Sequence, residues 1–394
     1  MVNTDFLTTE IGRFPIDWEV VKLGEKAKIF RGGSPRPIQD YLTNSPLGIN
    51  WIKIGDVSPS AKYILETKEK IIPEGANRSR LVQSGDFILS NSMSFGRPYI
   101  LRIDGCIHDG WLVIQDYKSH FEQGYLYYFL CSDITMHQHI SMAAGSGVQN
   151  LNKEKVNAVQ VAMPPLPEQR TIATALSDSD AYIAVLEKLI YKKRAVKQGV
   201  MQELLTGKWR LPGFSGEWQL FELEQVANIF DNLRIPVAES LREKGQTPYY
   251  GANGIQGFVK GYTHSGEFIL IAEDGASDLS NYPVRYVSGE IWVNNHAHVL
   301  QGRLNKANTR FLAYAMSMLD YQAILVGGTR AKLNGSVLKK IKILLPNVDE
   351  QTAIAEVLSN MDAEIDALTA KLNKAKYIKQ GMMNELLTGR IRLF

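Results

Sequence analysis

The chain has 394 residues, 45% of them apolar, and a formal net charge of +3 from 44 basic and 41 acidic side chains. That length supports two or three domains with real cores. The near-balanced charge permits nucleic-acid binding without arguing for it, so local clusters would have to carry any DNA contact. No apolar run approaches the roughly 20 residues of a membrane span, and no signal-peptide pattern is present. The two cysteines, Cys106 and Cys131, lack metal-like spacing. A soluble protein of a reducing cytoplasm is expected.

In chain order, residues 1–13 read as a loose leader. A phrase then runs from Phe14 to Trp18 and recurs as Phe214 to Trp218. After each copy the sequence changes to short β-rich runs broken by Gly, Pro and Asn. Strands are expected over 51–54, 87–89, 99–103, 111–114 and 159–163, and again over 268–271, 284–287, 291–293, 298–300 and 341–345. Helical segments are expected at 124–141 and 308–325, each before the last strand of its block. The ends of the blocks align, with Leu151-Asn152 on Leu333-Asn334, whereas their middles do not. The mixture predicts an α+β lobe in each block.

Each block leads into a long helix, and the two helices are copies. Residues 168–211 lie on 350–393 without a gap, and half of the positions are identical, including the closing words KQG and ELLTG. Such a duplication frames everything else in the chain. Apolar residues recur at heptad spacing: Ile172, Leu176, Ile183, Leu186, Ile190, Val200 and Leu204, then Ile354, Leu358, Ile365, Leu368, Leu372 and Leu386. This pattern predicts a coiled-coil seam. Ser179, Lys193 and Lys197 interrupt the first copy and Lys379 the second. At 1.5 Å per residue such a helix spans about 58 Å. Gly199 and Gly381 each cost about 1 kcal/mol relative to Ala, and their repetition predicts close packing against the other helix or a partner. The resulting segments are a first lobe at 1–163, a helix at 164–211, a second lobe at 212–345 and a helix at 346–394.

The first lobe and its helix carry the phrases WEVVKLGEKAKIFRGGSP at 18–35, INWIKIGDV at 49–57, PPLPEQRTIATAL at 164–176 and MQELLTG at the helix end. The second lobe carries different phrases, RIPVAESLREKGQTPYYGANGIQGFV, EDGAS and NNHAHVL. In this order, framed by the duplicated helices, they resemble the specificity (S) subunit of type I restriction–modification systems over nearly the whole chain. The resemblance implies two target-recognition domains reading the halves of a split DNA sequence, held apart by an antiparallel coiled coil in a pseudo-two-fold repeat. It also implies docking of two methyltransferase (M) subunits and of motor-nuclease (R) subunits. S-adenosylmethionine, ATP and magnesium would then belong to those partners, and this chain would bind no cofactor.

Base reading needs Arg, Lys, Asn, Gln or Ser on loops, and phosphate contacts need Arg, Lys or backbone amides. In the first lobe the candidates are Arg31, Ser34 and Arg36; Asn77 and Arg78; Asn91, Ser94 and Arg97; and Gln149 and Asn150. In the second they are Arg234, Tyr250, Asn253, Asp274, His296, Thr329, Arg330 and Lys332. Tyr250 could pack on sugars or fill a core. The helix lysines and arginine, Lys192, Lys193, Arg194 and Lys197 with Lys374, Lys376 and Lys379, are either a solvated flank or contacts to phosphate or a partner.

Catalytic chemistry is sparse. Asn281-Tyr282-Pro283 has the wrong order for an adenine methyltransferase motif, and no phosphate-binding G-x-x-x-x-G-K-[ST] loop occurs. His137 with His139 and His296 with His298 lack further ligands at usable spacing, so no metal is expected. Glu273 and Asp274 lack the lysine that nuclease carboxylates would need. A non-catalytic DNA-recognition subunit is the leading expectation. An enzyme with an unfamiliar active site, methyltransferase or nuclease, and a coiled-coil interaction scaffold remain the alternatives.

Overall fold

A computed structural model of the chain describes residues 5–91, 96–143, 151–274, 276–325 and 332–393. It forms two compact units, one from Met1–Leu186 with Lys371–Phe394 and the other from Glu187–Ala370. Each unit therefore combines a lobe with a length of both long helices. A helix buries only one stripe and needs a neighbour to supply the rest of a core. Among the described residues no helix is long and apolar enough to cross a membrane.

In the first unit a five-stranded sheet runs in the order Lys28–Arg31, Trp111–Gln115, Phe87–Ser90, Pro98–Leu101, Tyr63–Ile64. The strand Phe87–Ser90 is buried along its whole length. Successive side chains of a strand face opposite ways, so Phe87 and Leu89 enter one core while Ile88 enters another. The first core continues into the helix Gln123–Leu130 and the long helices; the second includes Ile52 and Ile107 of another five-stranded sheet. The expected leader is instead a hairpin, Phe6–Thr9 paired with Gly12–Pro15, anchored by the buried Phe14.

The second unit repeats this logic on a six-stranded sheet. Ile269 and Ile271 of strand His264–Ala272 face the helices, whereas Phe268 and Leu270 face away into a second core. Two expected strands, 284–287 and 291–293, prove to be one, Val284–Val293. Gly289 does not end the strand: it sits opposite Gly266 and the register continues through both. The stretch Lys244–Gly251 also pairs with Gly254–Val259 as a hairpin, so Tyr250 lies on a strand and Asn253 at its turn. Each expected lobe helix is broken in two, as Gln123–Leu130 and Asp133–Ala143, then Thr309–Ser317 and Tyr321–Ile324.

The long helices are Leu166–Leu204 and Val348–Leu386. Within the first unit Asp180 pairs with Lys379, and Glu168 with Arg392. Within the second, Lys193 pairs with Glu364, Lys197 with Asp362 and Arg210 with Glu350. As one number rises the other falls, so in each unit the chain segments run antiparallel. Of the seam residues, Ile172, Leu176, Leu186, Ile190, Leu204, Ile354, Leu358, Ile365 and Leu386 are buried; Ile183, Leu368 and Leu372 are half-buried. The lysines that interrupt the seam are therefore engaged in ion pairs with the opposite helix rather than standing as free cations. A Cβ added at Gly199 or Gly381 would meet nothing within 4 Å. Helix-on-helix packing does not explain those glycines.

The repeated Glu-Gln dipeptide at the start of each helix anchors its lobe. Gln169 is buried; its amide donates to the Pro164 and His120 carbonyls and accepts the Glu122 N–H at 2.8 Å. Gln351 does the same with Pro346, Lys306 and the Asn308 N–H at 2.9 Å. Glu168 and Glu350 receive Arg392 and Arg210, each arginine also lying 5.7 Å from the ring centroid of Trp18 or Trp218.

Candidate nucleic-acid interface

In the first lobe Asp109, which no sequence motif marks, gathers four candidate residues from two loops. Ser34 Oγ donates to Asp109 Oδ1 at 2.8 Å and Arg36 Nη2 to Oδ2 at 3.2 Å. The Asp109 carbonyl accepts from Arg31 Nε at 3.1 Å and from Asn91 Nδ2 at 3.3 Å. The Ser34 hydrogen bond holds the Asp109 carboxyl below its ordinary range against the opposing effect of burial, with His108 and Arg36 assisting. A Cβ at Gly32 would fall 2.1 Å from the His108 carbonyl oxygen. The glycine thus lets loop 31–36 close on its own lobe's His108–Asp109 turn.

Around this turn lies a basic edge. Arg36 is 81% exposed, and Arg31, Asn77 and Arg78 are exposed. Arg78 covers the Tyr41 ring, while Arg80 and Lys153 both cover Phe30. Arg97 is half-buried against Tyr99. Ser94, Gln149 and Asn150 lie outside the described residues.

The second lobe builds the same frame from different side chains. In the first lobe the Asn91 N–H donates to the Gly110 carbonyl, and the Asn91 carbonyl accepts the Leu151 N–H at 2.8 Å. In the second the Glu273 N–H donates to the His296 carbonyl, and the Glu273 carbonyl accepts the Leu333 N–H at 2.8 Å. Asn91 and Glu273 are therefore equivalent, as are Leu151 and Leu333, although the sequences between them do not align.

Around Glu273 the charges pair with one another. Arg234, 15% exposed, donates to Glu273 Oε2 at 2.7 Å and to the Ala297 carbonyl, and lies 3.4 Å from Asp231. Lys332 Nζ is 3.0 Å from Glu273 Oε1 and 4.0 Å from Asp274. His298 Nδ1 lies 2.5 Å from Asp231 Oδ2 and Nε2 lies 2.8 Å from the Leu333 carbonyl. Both partners are acceptors, so both ring nitrogens donate and the ring is an imidazolium. Burial opposes this charge, but the hydrogen bonds to Asp231 and Leu333 outweigh it and raise the His298 pKa. Asp231, Glu273 and His298 bring ligand-type atoms within 4.8 Å of one another. Both ring nitrogens are already engaged, and Arg234, His298 and Lys332 together pair with the two carboxylates, so the geometry is that of an ion-pair cluster.

Arg234 and His298 accordingly hold the frame, whereas His296, 50% exposed and 2.5 Å from Asp274, stands at its edge with Lys332. Tyr250 and Asn253 fall elsewhere, lining a cleft of about 940 Å³ with Arg285 and Arg310. Thr329 and Arg330 lie outside the described residues.

The sequence profile described as "Type I restriction modification DNA specificity domain" matches residues 15–192 and 215–377, and the chain belongs to that family. It is 24% identical to the MjaVIII specificity subunit of Methanocaldococcus jannaschii, over 97% of this chain and 94% of that protein. It is 22% identical to the EcoKI specificity subunit of Escherichia coli K12, over 92% and 86%. A putative type I specificity subunit of Haemophilus influenzae is 46% identical over 41% of this chain, a stretch spanning 39% of that protein. The fold is shared with the S subunit of a type I system from M. genitalium, with a TM-score of 0.64, 16% identity, and coverage of 98% and 97%.

Proposed function

We propose that this chain reads a split, asymmetric DNA sequence through the loop edges of its two lobes and directs methyltransferase and restriction subunits to it. One observation carries the reading: two lobes built on one backbone frame, Asn91 with Leu151 and Glu273 with Leu333, present different side chains at the same place. A shared frame with divergent edges suits two half-sites of different sequence. The first edge offers exposed arginines for phosphate or guanine contacts, and the second offers His296, Asp274 and Lys332. Half-sites one DNA turn apart would need heads about 34 Å apart, and long paired helices are stiffer spacers than a flexible linker. On this reading S-adenosylmethionine, ATP and magnesium are used by the partner subunits, and this chain itself is not catalytic.

Methylome sequencing of cells with and without the chain, together with its methyltransferase partner, tests the proposal. The expected result is a methylated two-part motif that appears only with this chain. Methyl transfer or cleavage by the purified chain alone would overturn it in favour of an enzyme. A complex that selects no motif from random DNA would favour an interaction scaffold.

A further inference from the structure

The lysines of the helix seam belong to a three-residue contact that occurs once in each unit. In the first unit Tyr128 Oη, on helix Gln123–Leu130, donates to Asp180 Oδ2 at 2.7 Å. Lys379 Nζ, from the second long helix, lies 2.5 Å from Asp180 Oδ1 and 5.6 Å from the Tyr128 ring centroid. In the second unit Tyr314 Oη, on helix Thr309–Ser317, donates to Asp362 Oδ2 at 2.5 Å. Lys197, from the first long helix, pairs with Asp362 and lies 5.0 Å from the Tyr314 ring centroid. At each point a lobe and both long helices meet on one carboxylate. The first unit adds Lys62, whose Nζ donates to Tyr128 Oη at 3.1 Å.

This contact is the second of two bolts on each lobe helix. The first is the buried glutamine, which accepts the backbone N–H of Glu122 or Asn308 at the N-cap of that helix. Along the lobe helix the bolts are 6 residues apart in both units (128 − 122 and 314 − 308). Along the long helix they are 11 apart in both (180 − 169 and 362 − 351), or about 16 Å. A single attachment lets a lobe swing, whereas two attachments along one helix define a direction. Apolar contact is non-directional, so charge-assisted hydrogen bonds are the groups suited to fixing an angle.

We propose that the joints Tyr128–Asp180–Lys379 and Tyr314–Asp362–Lys197 set the angle at which each lobe is carried on its helices, and thereby the spacer accepted between DNA half-sites. The inference rests on the split-site reading given above. These six are positioning residues: they join lobe to helices, and in the second unit Tyr314, Asp362 and Lys197 line the same cleft as Tyr250 and Asn253.

The test uses the full chain assembled with its methyltransferase partner. Methyl transfer is measured on duplexes with the native spacer and with spacers one base pair shorter or longer, for Asp180→Asn and Asp362→Asn, singly and together. The milder Tyr128→Phe and Tyr314→Phe each remove one oxygen and keep the test available if charge removal weakens folding. Hydrogen exchange across the two lobe helices reports whether the joint has loosened. The expected result is a loosened joint with an approximately tenfold loss of spacer discrimination, the factor carried by one hydrogen bond to a charged group, while the sequence required in each half-site is unchanged. Unchanged exchange, or loosened exchange with unchanged discrimination, would overturn the proposal. If the unsubstituted complex shows no two-part target, the split-site reading has failed instead.

Discussion

Glu168 and Arg392 stand 224 positions apart and meet side by side, with Arg392 Nη2 donating to Glu168 Oε2 at 2.7 Å. The same guanidinium reaches Asp17, and Trp18 Nε1 donates to Glu168 at 3.1 Å. Their side chains are only 9% and 7% exposed. Removing one partner of a buried pair strands the other's charge, typically at a cost of about 3–5 kcal/mol. Arg392→Ala should therefore lower the stability of the first unit by about 3 kcal/mol, read as a shift in the urea midpoint. Arg392→Met with Glu168→Gln should recover most of that loss.

Gln351 has no exposed surface and engages both its amide nitrogen and its carbonyl oxygen. Gln351→Leu would leave the Asn308 N–H and two carbonyls without their partner, at about 1–3 kcal/mol for each group that water cannot reach. A loss of about 2–4 kcal/mol is expected by calorimetry, and Gln169→Leu should do the same to the first unit.

The imidazolium of His298 makes the second unit pH-sensitive. Its folded pKa lies above the ordinary 6.5, so its stabilisation is complete below about 6.5 and is lost as pH rises through the raised value. Asp231 is shifted the other way: burial raises its pKa, but the His298 hydrogen bond and the Val299 N–H lower it below 3.8 overall. Its contribution is thus present above 3.8 and lost on acidification through the lowered value. Urea midpoints should fall on the alkaline side of pH 6.5, and His298→Gln should be less stable at pH 6 and lack that decline.

Arg36 at the Asp109 turn has an 81% exposed side chain. If it meets a phosphate, Arg36→Ala should lower the slope of log affinity against log salt by about 0.9, measured on cognate DNA with the assembled complex. Asp109→Asn removes the carboxylate that holds Ser34 and Arg36 and so loosens loop 31–36, although the backbone carbonyl that holds Arg31 remains. It should weaken cognate binding more than non-specific binding, because it disorders placement rather than removing a cation.

The helices, their heptad seam and the duplication were legible because periodicity and repetition are local signals. The purpose of Glu168, Gln169, Lys197 and Lys379 was not, because their partners lie far away in the chain, at Arg392, Glu122, Asp362 and Asp180. Lone lysines in an apolar stripe therefore looked free. Gly289 looked like a break because its opposite number, Gly266, is visible only once the register is known. Asp109 carries no motif of its own, and the clue to it is its place in a polar turn between two buried strands. The correspondence of Asn91 with Glu273 lies in backbone hydrogen bonds, which residue identity does not report.

The division of the helices between the two units bears on how the protein is made. Leu386, Leu387 and Arg392 complete the core and ion pairs of the first unit, yet they are translated after the whole of Glu187–Ala370. The first lobe must therefore leave the ribosome with one wall open, its apolar seam exposed while the second lobe is synthesised. The second unit, whose residues are contiguous, can close at once. Of the two lobes, the one made first is the one finished last.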